Sequence, residues 1–328
     1  MPRRIVYDHN HDGIDRRGFL ECMAWAGTGA LCTLSGGVLK SYALGDVGRV
    51  ARDLATADFS FVQLSDSHIG FSKPANPDVS ATLQAAIDKV NALPTPPSFA
   101  LHTGDITQLS KPEEFDTAAQ LLKGLKTHPI FFVPGEHDVL DGTGKAYRER
   151  HAMNPTGDDW YSFNFKGVHF VGLVNVLNLT PGGLGNLGPQ QLQWLERDLS
   201  NVSSSTPIVV FAHIPLWSVY PAWGWGTDDG AQALSYMKRF GSVSVLNGHI
   251  HQTMLKVEGH ITFHTAASTA FPQPPPATPG ASPGPMTVAA DQLRGLLGLT
   301  QVNFVRGKHA LAVTDSTLAE NGSKESRL

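Results

Sequence analysis

Residues 59–68 read Phe-Ser-Phe-Val-Gln-Leu-Ser-Asp-Ser-His. The stretch opens as an apolar run of strand length and stops on a carboxylate and an imidazole, Asp66 and His68, one residue apart. A buried strand of an α/β sheet reads this way. Ligand sites of such sheets lie beyond the carboxyl ends of the strands, where residues far apart in sequence converge. The same construction recurs along the chain. Apolar runs at 98–103, 130–134, 207–213 and 243–247 end in Gly104-Asp105, Gly135-Glu136-His137-Asp138, His213 and Gly248-His249-Ile250-His251.

Between these runs lie helical periodicities: Leu83, Ile87 and Val90; Phe115, Ala118, Leu122 and Leu125; and Leu192, Leu195 and Leu199. Ser110 and Glu113 have the spacing of a capping box ahead of the second. Residues 161–176 and 253–266 read as hairpins, the latter turning at Glu258-Gly259. Strands separated by helices require parallel pairing and hairpins require antiparallel pairing, so the sheets are mixed. The expected organisation is one α/β domain over 46–315 and a polar tail at 316–328. Residues 272–285, with seven prolines, exclude a helix or central strand and predict a stiff surface loop or lid, or else a disordered insertion.

Composition narrows the function. The 328 residues carry a net charge of −4 and are only 16% charged, which speaks against a basic nucleic-acid-binding face. With 16 Phe and 6 Trp, the chain is also no disordered polyelectrolyte. The two cysteines, Cys22 and Cys32, precede the domain, so metal must be held there by imidazole, carboxylate and carbonyl groups, a donor set suited to Mn, Fe, Zn or Ni. In an extended segment, Asp66 and His68, like His249 and His251, project to one side.

The order Asp-x-His, Gly-Asp, Gly-x-His-Asp, His, Gly-His-x-His over residues 59–266 resembles the signature of the calcineurin-like metallophosphoesterases. The resemblance implies a four-layer αββα sandwich of two mixed sheets flanked by helices, with a binuclear metal centre at the strand ends. It further implies that Asp66, His68, Asp105 and His251 hold one metal, and that Asp105 bridges to a second held by Glu136, His213 and His249. His137 takes the place of the general acid or phosphate contact, and Asp138 would orient its ring or serve as a plain turn residue. The reaction implied is hydrolysis of a phosphate ester by a metal-bridging hydroxide, with Mn and Fe foremost and Zn, Ni or an Fe(III)–M(II) pair as alternatives. Within the family, the chain is also similar to exported members related to class III cyclic-nucleotide phosphodiesterases.

Glu136 departs from the family, which has Asn there. The three acidic ligands Asp66, Asp105 and Glu136 then carry −3 in place of −2. A less positive core attracts a dianionic monoester less and favours a monoanionic diester, or an Fe(III)-containing pair; alternatively Glu136 is an ordinary oxygen ligand. Phosphodiester hydrolysis is thus the leading expectation. A phosphomonoesterase or nucleotidase, or a catalytically silent metal-binding scaffold, stand as alternatives. Trp217, Tyr220, Trp223 and Trp225 follow His213 closely and would either overhang the metals to hold a substrate group or anchor their loop on the core. Asn175 ends a strand and would face the site. His102, His169, His260, His264 and His309 read as structural, and the Gly-rich run 182–188 lacks the Lys-Ser/Thr of a phosphate-binding loop.

The first forty-five residues resemble a twin-arginine export signal: Arg16-Arg17, then Phe19 and Leu20, a weakly apolar run from Cys22 to Leu39, and Ser41-Tyr42-Ala43 at its exit. Gly27, Gly29, Gly36 and Gly37 make that run a poor membrane span. The expected location is periplasmic. The expected partners are a small phosphate ester and the twin-arginine machinery, with membrane contact only through this segment if it is retained.

Overall fold

The computed structural model describes residues 57–319 except 143, 154–158, 178, 180–181, 277 and 306–310, together with three strands nearer the N-terminus. In chain order the strands are β1 (Ile5–Asp8), β2 (Ala30–Ser35), β3 (Val38–Ala43), β4 (Phe59–Leu64), β5 (Ala100–His102), β6 (Ile130–Phe132), β7 (Tyr161–Phe165), β8 (Val168–Gly172), β9 (Ile208–Phe211), β10 (Val243–Asn247), β11 (Met254–Glu258), β12 (Ile261–Thr265), β13 (Gly298–Phe304) and β14 (Ala312–Thr317). The helices are α1 (Val79–Asn91), α2 (Pro112–Leu122), α3 (Lys145–His151), α4 (Gly188–Ser200), α5 (Gly230–Met237) and α6 (Ala290–Leu296).

One sheet runs β14-β13-β4-β5-β6, with β4, β5 and β6 parallel and the last two strands of the chain added antiparallel beside β4. The other contains β7-β8-β9-β10-β12-β11, parallel from β8 to β12 and antiparallel at both ends of that run. Period-two alternation sorts the side chains into layers. In β4, Phe59 and Phe61 enter an aromatic-rich core between the sheets with Phe99, Phe170, Val209, Phe211 and Leu246, while Val62 and Leu64 face α1 and α2. Likewise Val171, Val210 and Val245 of the second sheet pack against Leu192, Leu195 and Leu199 of α4 and Met237 of α5. Three stacked cores between four layers make the αββα sandwich that the family resemblance implies.

Several elements differ from expectation. Pro112 occupies the first turn of α2, so the helix starts there and Glu114, not Glu113, reaches back to the Lys111 N–H at 3.4 Å. The fold also extends past residue 315: β14 ends at Thr317 and Leu318 is buried against α1 and its neighbours. The segment read as an export signal contains β2 and β3, which form an antiparallel hairpin with β2 parallel to β11, extending the second sheet. Its glycines and Ser/Thr residues weaken helix as much as membrane span. Arg16, Arg17, Phe19, Leu20, Cys22, His309 and the tail from 320 lie outside the described residues. Among the described residues no helix is long and apolar enough to cross a membrane.

Candidate metal centre

The strands that carry the motifs are adjacent and parallel within each sheet, so their C-terminal loops emerge at one edge and interlock through the backbone. Asp66 N–H donates to Gly104 O (3.0 Å), His68 N–H to Asp105 O (2.9 Å) and Gly248 N–H to His213 O (3.0 Å). The loops approach so closely that two glycines are obligatory. A Cβ on Gly135 would strike the Asp105 carboxylate, and one on Gly248 would strike Ser65 Oγ and, at 2.6 Å, Asp66 Oδ2. Asp66, His68, Asp105, His249 and His251 all take positive φ, between 43° and 69°, a region costly for residues with a Cβ.

These turns bring all seven expected metal-facing side chains together. His68 Nε2 and His251 Nε2 lie 3.2 Å apart, and His251 Nε2 is 3.3 Å from Asp66 Oδ1. Asp105 Oδ2 lies 3.5 Å from His68 Nε2 and 3.4 Å from His213 Nε2, so one oxygen faces both halves of the cluster. In the second half, Glu136 reaches His213 Nε2 at 2.8 Å and His249 Nδ1 at 2.9 Å. Yet among the described residues Glu136 Oε2, His213 Nε2 and both His249 nitrogens find no hydrogen-bond partner although buried. Short separations without hydrogen-bond alignment are what donor atoms show when they aim at a common point. Orphaned buried polar atoms otherwise carry a desolvation penalty of about 1–3 kcal/mol each. The residues therefore fit metal ions: Asp66–His68–His251, His68–Asp105–His137, Glu136–His213–His249 and Asp66–Asp105–His213 are overlapping groups, each of which closes within 4.8 Å.

Outer contacts fix which imidazole nitrogen faces inward. His213 Nδ1 donates to Thr103 O (2.7 Å) and His251 Nδ1 to Phe271 O (2.6 Å), while His68 Nδ1 donates to Gln108 Oε1 (3.1 Å). Burial, the strongest influence on His68, pushes its pKa down to about 3 and keeps the ring neutral. Burial acts on His213 in the same sense, but Asp105 and Glu136 outweigh it and raise the ring's pKa well above normal. Burial pushes the Glu136 carboxyl up, yet His249 and His213 hold it well below the usual range. These opposed shifts describe a charged Glu136 held against a protonated His213, beside a neutral His68.

His137 leans edge-on against the His68 ring, with centroids 4.8 Å apart. Its N–H donates to Asp105 Oδ1 (2.9 Å) and its Nδ1 to Gln108 O (2.7 Å). Asp138 differs from the expected ring-orienting role. Its carboxylate accepts the Ile106, Thr107 and Gly135 amides and the Thr107 hydroxyl at 2.8–3.0 Å, tying two site loops together. The aromatic loop likewise differs from a substrate overhang. Trp217 and Trp225 are buried in the core beneath α4 and α5, and Tyr220 and Trp223 pack onto that core. Trp217 and Trp225 thus anchor the loop, while Tyr220 and Trp223 stay half-buried. Asn175 is buried and hydrogen-bonds both Ile214 N and O, holding the loop after His213. Gln108, Thr103 and Phe271 escape the sequence reading: Thr103 and Phe271 act through backbone carbonyls, which leave no trace in residue type, and Gln108 acts through both its carbonyl and its side chain, outside any motif.

Residues 59–253 match the family of calcineurin-like phosphoesterases, and the chain belongs to that family. It is a metal-binding hydrolase of phosphate esters by class. Among curated relatives, it is 26% identical over 205 residues to the glycerophosphodiester phosphodiesterase GpdQ of Enterobacter lignolyticus, covering 60% of this chain and 71% of that one. It is 23% identical over 218 residues to a 3',5'-cyclic-nucleotide phosphodiesterase of Nostoc, covering 65% and 79%. Among solved structures, a dimetal phosphatase from Danio rerio superposes with a TM-score of 0.56 at 14% identity, over 80% of this chain and 98% of that one, which extends the likeness of fold.

Proposed function

We propose that the chain is an exported phosphoesterase with a binuclear metal centre and a preference for phosphodiesters. The observation that carries this reading is the shared Asp105 oxygen between two closed ligand groups, one containing Glu136. Asp66, His68, Asp105 and His251 would hold one ion, and Asp105, Glu136, His213 and His249 the other. Divalent Mn or Fe suits these donors, with Zn, Ni or an Fe(III)–M(II) pair also compatible. Two such ions supply Lewis acidity to phosphoryl oxygens and an activated water.

The protein's own part is positioning and proton transfer. Gln108 O holds the Nδ1 proton of His137, so Nε2 is the atom left to donate to a leaving oxygen. Burial works against a charged ring there, but Asp105 and Glu136 prevail and raise the His137 pKa, favouring the acid form. The extra charge of Glu136 lowers the pull of the centre on a dianion more than on a monoanion. The likeness to two phosphodiesterases supports the same preference. The small substrate would be met in the periplasm, after passage through the twin-arginine machinery that Arg16-Arg17 addresses.

The test compares bis(p-nitrophenyl) phosphate with p-nitrophenyl phosphate, alongside metal content by elemental analysis, in wild type and Glu136→Asn. The expected result is two metals per chain in both proteins, a diester preference in wild type and a shift of roughly tenfold toward monoester in the variant. An unchanged ratio, or loss of metal from Glu136→Asn, overturns the role given to Glu136.

A further inference from the structure

The proline-rich segment is the sequence feature that the metal centre leaves unused. Only residue 277 of it is outside the described set, and its base is built onto the metal ligands. Phe271, which precedes it, lies tilted against the rings of both His68 and His251 with centroids 4.7 Å away, and its carbonyl accepts the His251 Nδ1 proton. Met286 N–H donates to Pro272 O at 2.8 Å and closes the loop into a ring. Gln252, next to His251, donates to the carbonyls of Gln273 and Pro274 at 3.1 and 3.0 Å. The amide of Gln273 spans the gap the other way: Nε2 donates to His249 O at 2.9 Å, and Oε1 accepts Gly284 N–H at 3.1 Å. One partner is a carbonyl and the other an N–H, so the amide has one orientation that satisfies both.

The consequence falls on His249. This residue sits at φ 69°, a conformation that persists only where the surroundings over-determine it. Its N–H is held by the Asp66 carboxylate at 3.0 Å and its ring faces Glu136, leaving the carbonyl as the remaining handle. Gln273 takes that handle, and the loop that carries Gln273 is stiffened by prolines, whose φ is fixed. We propose that the proline-rich loop is a clamp on the second half of the metal centre, with Gln273 the positioning residue that holds His249 in its ligating conformation. This inference rests on the binuclear reading above.

The experiment titrates metal-free protein with Mn(II) alone by calorimetry, and follows thermal unfolding of the same samples. Wild type takes up two equivalents. In Gln273→Ala the first equivalent binds as in wild type, while the second weakens 10- to 100-fold, the usual consequence of losing an outer contact to a metal ligand. The unfolding midpoint of the metal-free variant stays at the wild-type value, and diesterase activity returns when Mn(II) is raised. Gln273→Glu, of equal size but without a donor for the His249 carbonyl, weakens the second equivalent in the same way. Unchanged binding of both equivalents in the variants overturns the clamp and leaves the binuclear reading standing. Equal weakening of both equivalents with a lowered midpoint also overturns it, by making Gln273 a general packing residue. A wild-type chain that binds a single equivalent overturns the binuclear reading and the clamp together.

Discussion

His137 shows how much a single side chain's role depends on partners invisible in its own motif. Its position after Glu136 is legible in sequence, as are the seven side chains of the cluster, because each is a chemically distinctive residue at the end of an apolar run. What is not legible is that Asp138 turns away from the ring and that a backbone carbonyl, Gln108 O, takes its place. Any residue at 108 presents a carbonyl, so composition cannot encode the contact. A general acid contributes about 10²- to 10⁴-fold, and only where the leaving group needs a proton. His137→Asn is therefore expected to lower kcat at least about 100-fold on an alkyl phosphodiester and far less on a p-nitrophenyl ester, whose leaving group departs unprotonated. Metal content by elemental analysis should stay at the wild-type value. Equal losses on both esters would mean that the ring positions phosphate without donating a proton.

Among the elements, the short strands were the legible part and the loops that follow them were not. Runs such as 59–65 and 243–247 announce themselves by apolar content and length, and their ends match β4 and β10 within a residue or so. The terminal strands β13 and β14 carry mixed polar sequences, Gly-Leu-Thr-Gln-Val-Asn-Phe and Ala-Val-Thr-Asp-Ser-Thr, in which the apolar signal is diluted. The loop after β5 is ordered by contacts from a distant segment: Ser110 donates to His137 O and accepts from Leu140 N, and Asp138 gathers three amides. Burial and the nearby Asp105 charge raise the Asp138 pKa to about 7, against the pull of those amides. Asp138→Ala leaves three buried N–H groups without their acceptor, and removing one such partner costs about 1–3 kcal/mol. The variant is expected to lose at least about 3 kcal/mol of stability in urea unfolding and to bind metal more weakly, since Asp105 and Glu136 flank the tie. A variant as stable as wild type would show that water or neighbouring groups replace the carboxylate.

Across the whole molecule, the layered plan stores neutral histidines in places where a charge is not welcome. His102 lies on β5 with no exposure, its Nε2 against Ser67 Oγ at 2.7 Å, and His151 ends α3 packed on Phe115, Phe132 and Tyr147 with Nε2 unpartnered among the described residues. Burial, above all, lowers their pKa values from 6.5 to about 3 for His102 and about 4 for His151, the latter helped by Arg150. A histidine whose folded pKa is depressed binds its proton more readily in the unfolded chain. Its contribution is therefore complete above pH 6.5 and drains away as the pH falls toward the folded value, at about 1.4 kcal/mol per pH unit for each ring. His213 and His137, whose pKa values are raised, act in the opposite sense, so the total pH curve mixes both. A difference between two proteins isolates one ring. Wild type and His151→Phe, unfolded by urea from pH 7 to pH 4, should diverge in slope by about one proton below pH 6.5, the variant losing less stability as acid is added. His151 lies remote in sequence from every metal-facing residue, so metal uptake at pH 7 should match wild type. Parallel stability curves for the two proteins would mean that His151 finds a partner for its proton in the folded state, and that its burial between α2, α3 and β6 imposes no penalty on charge.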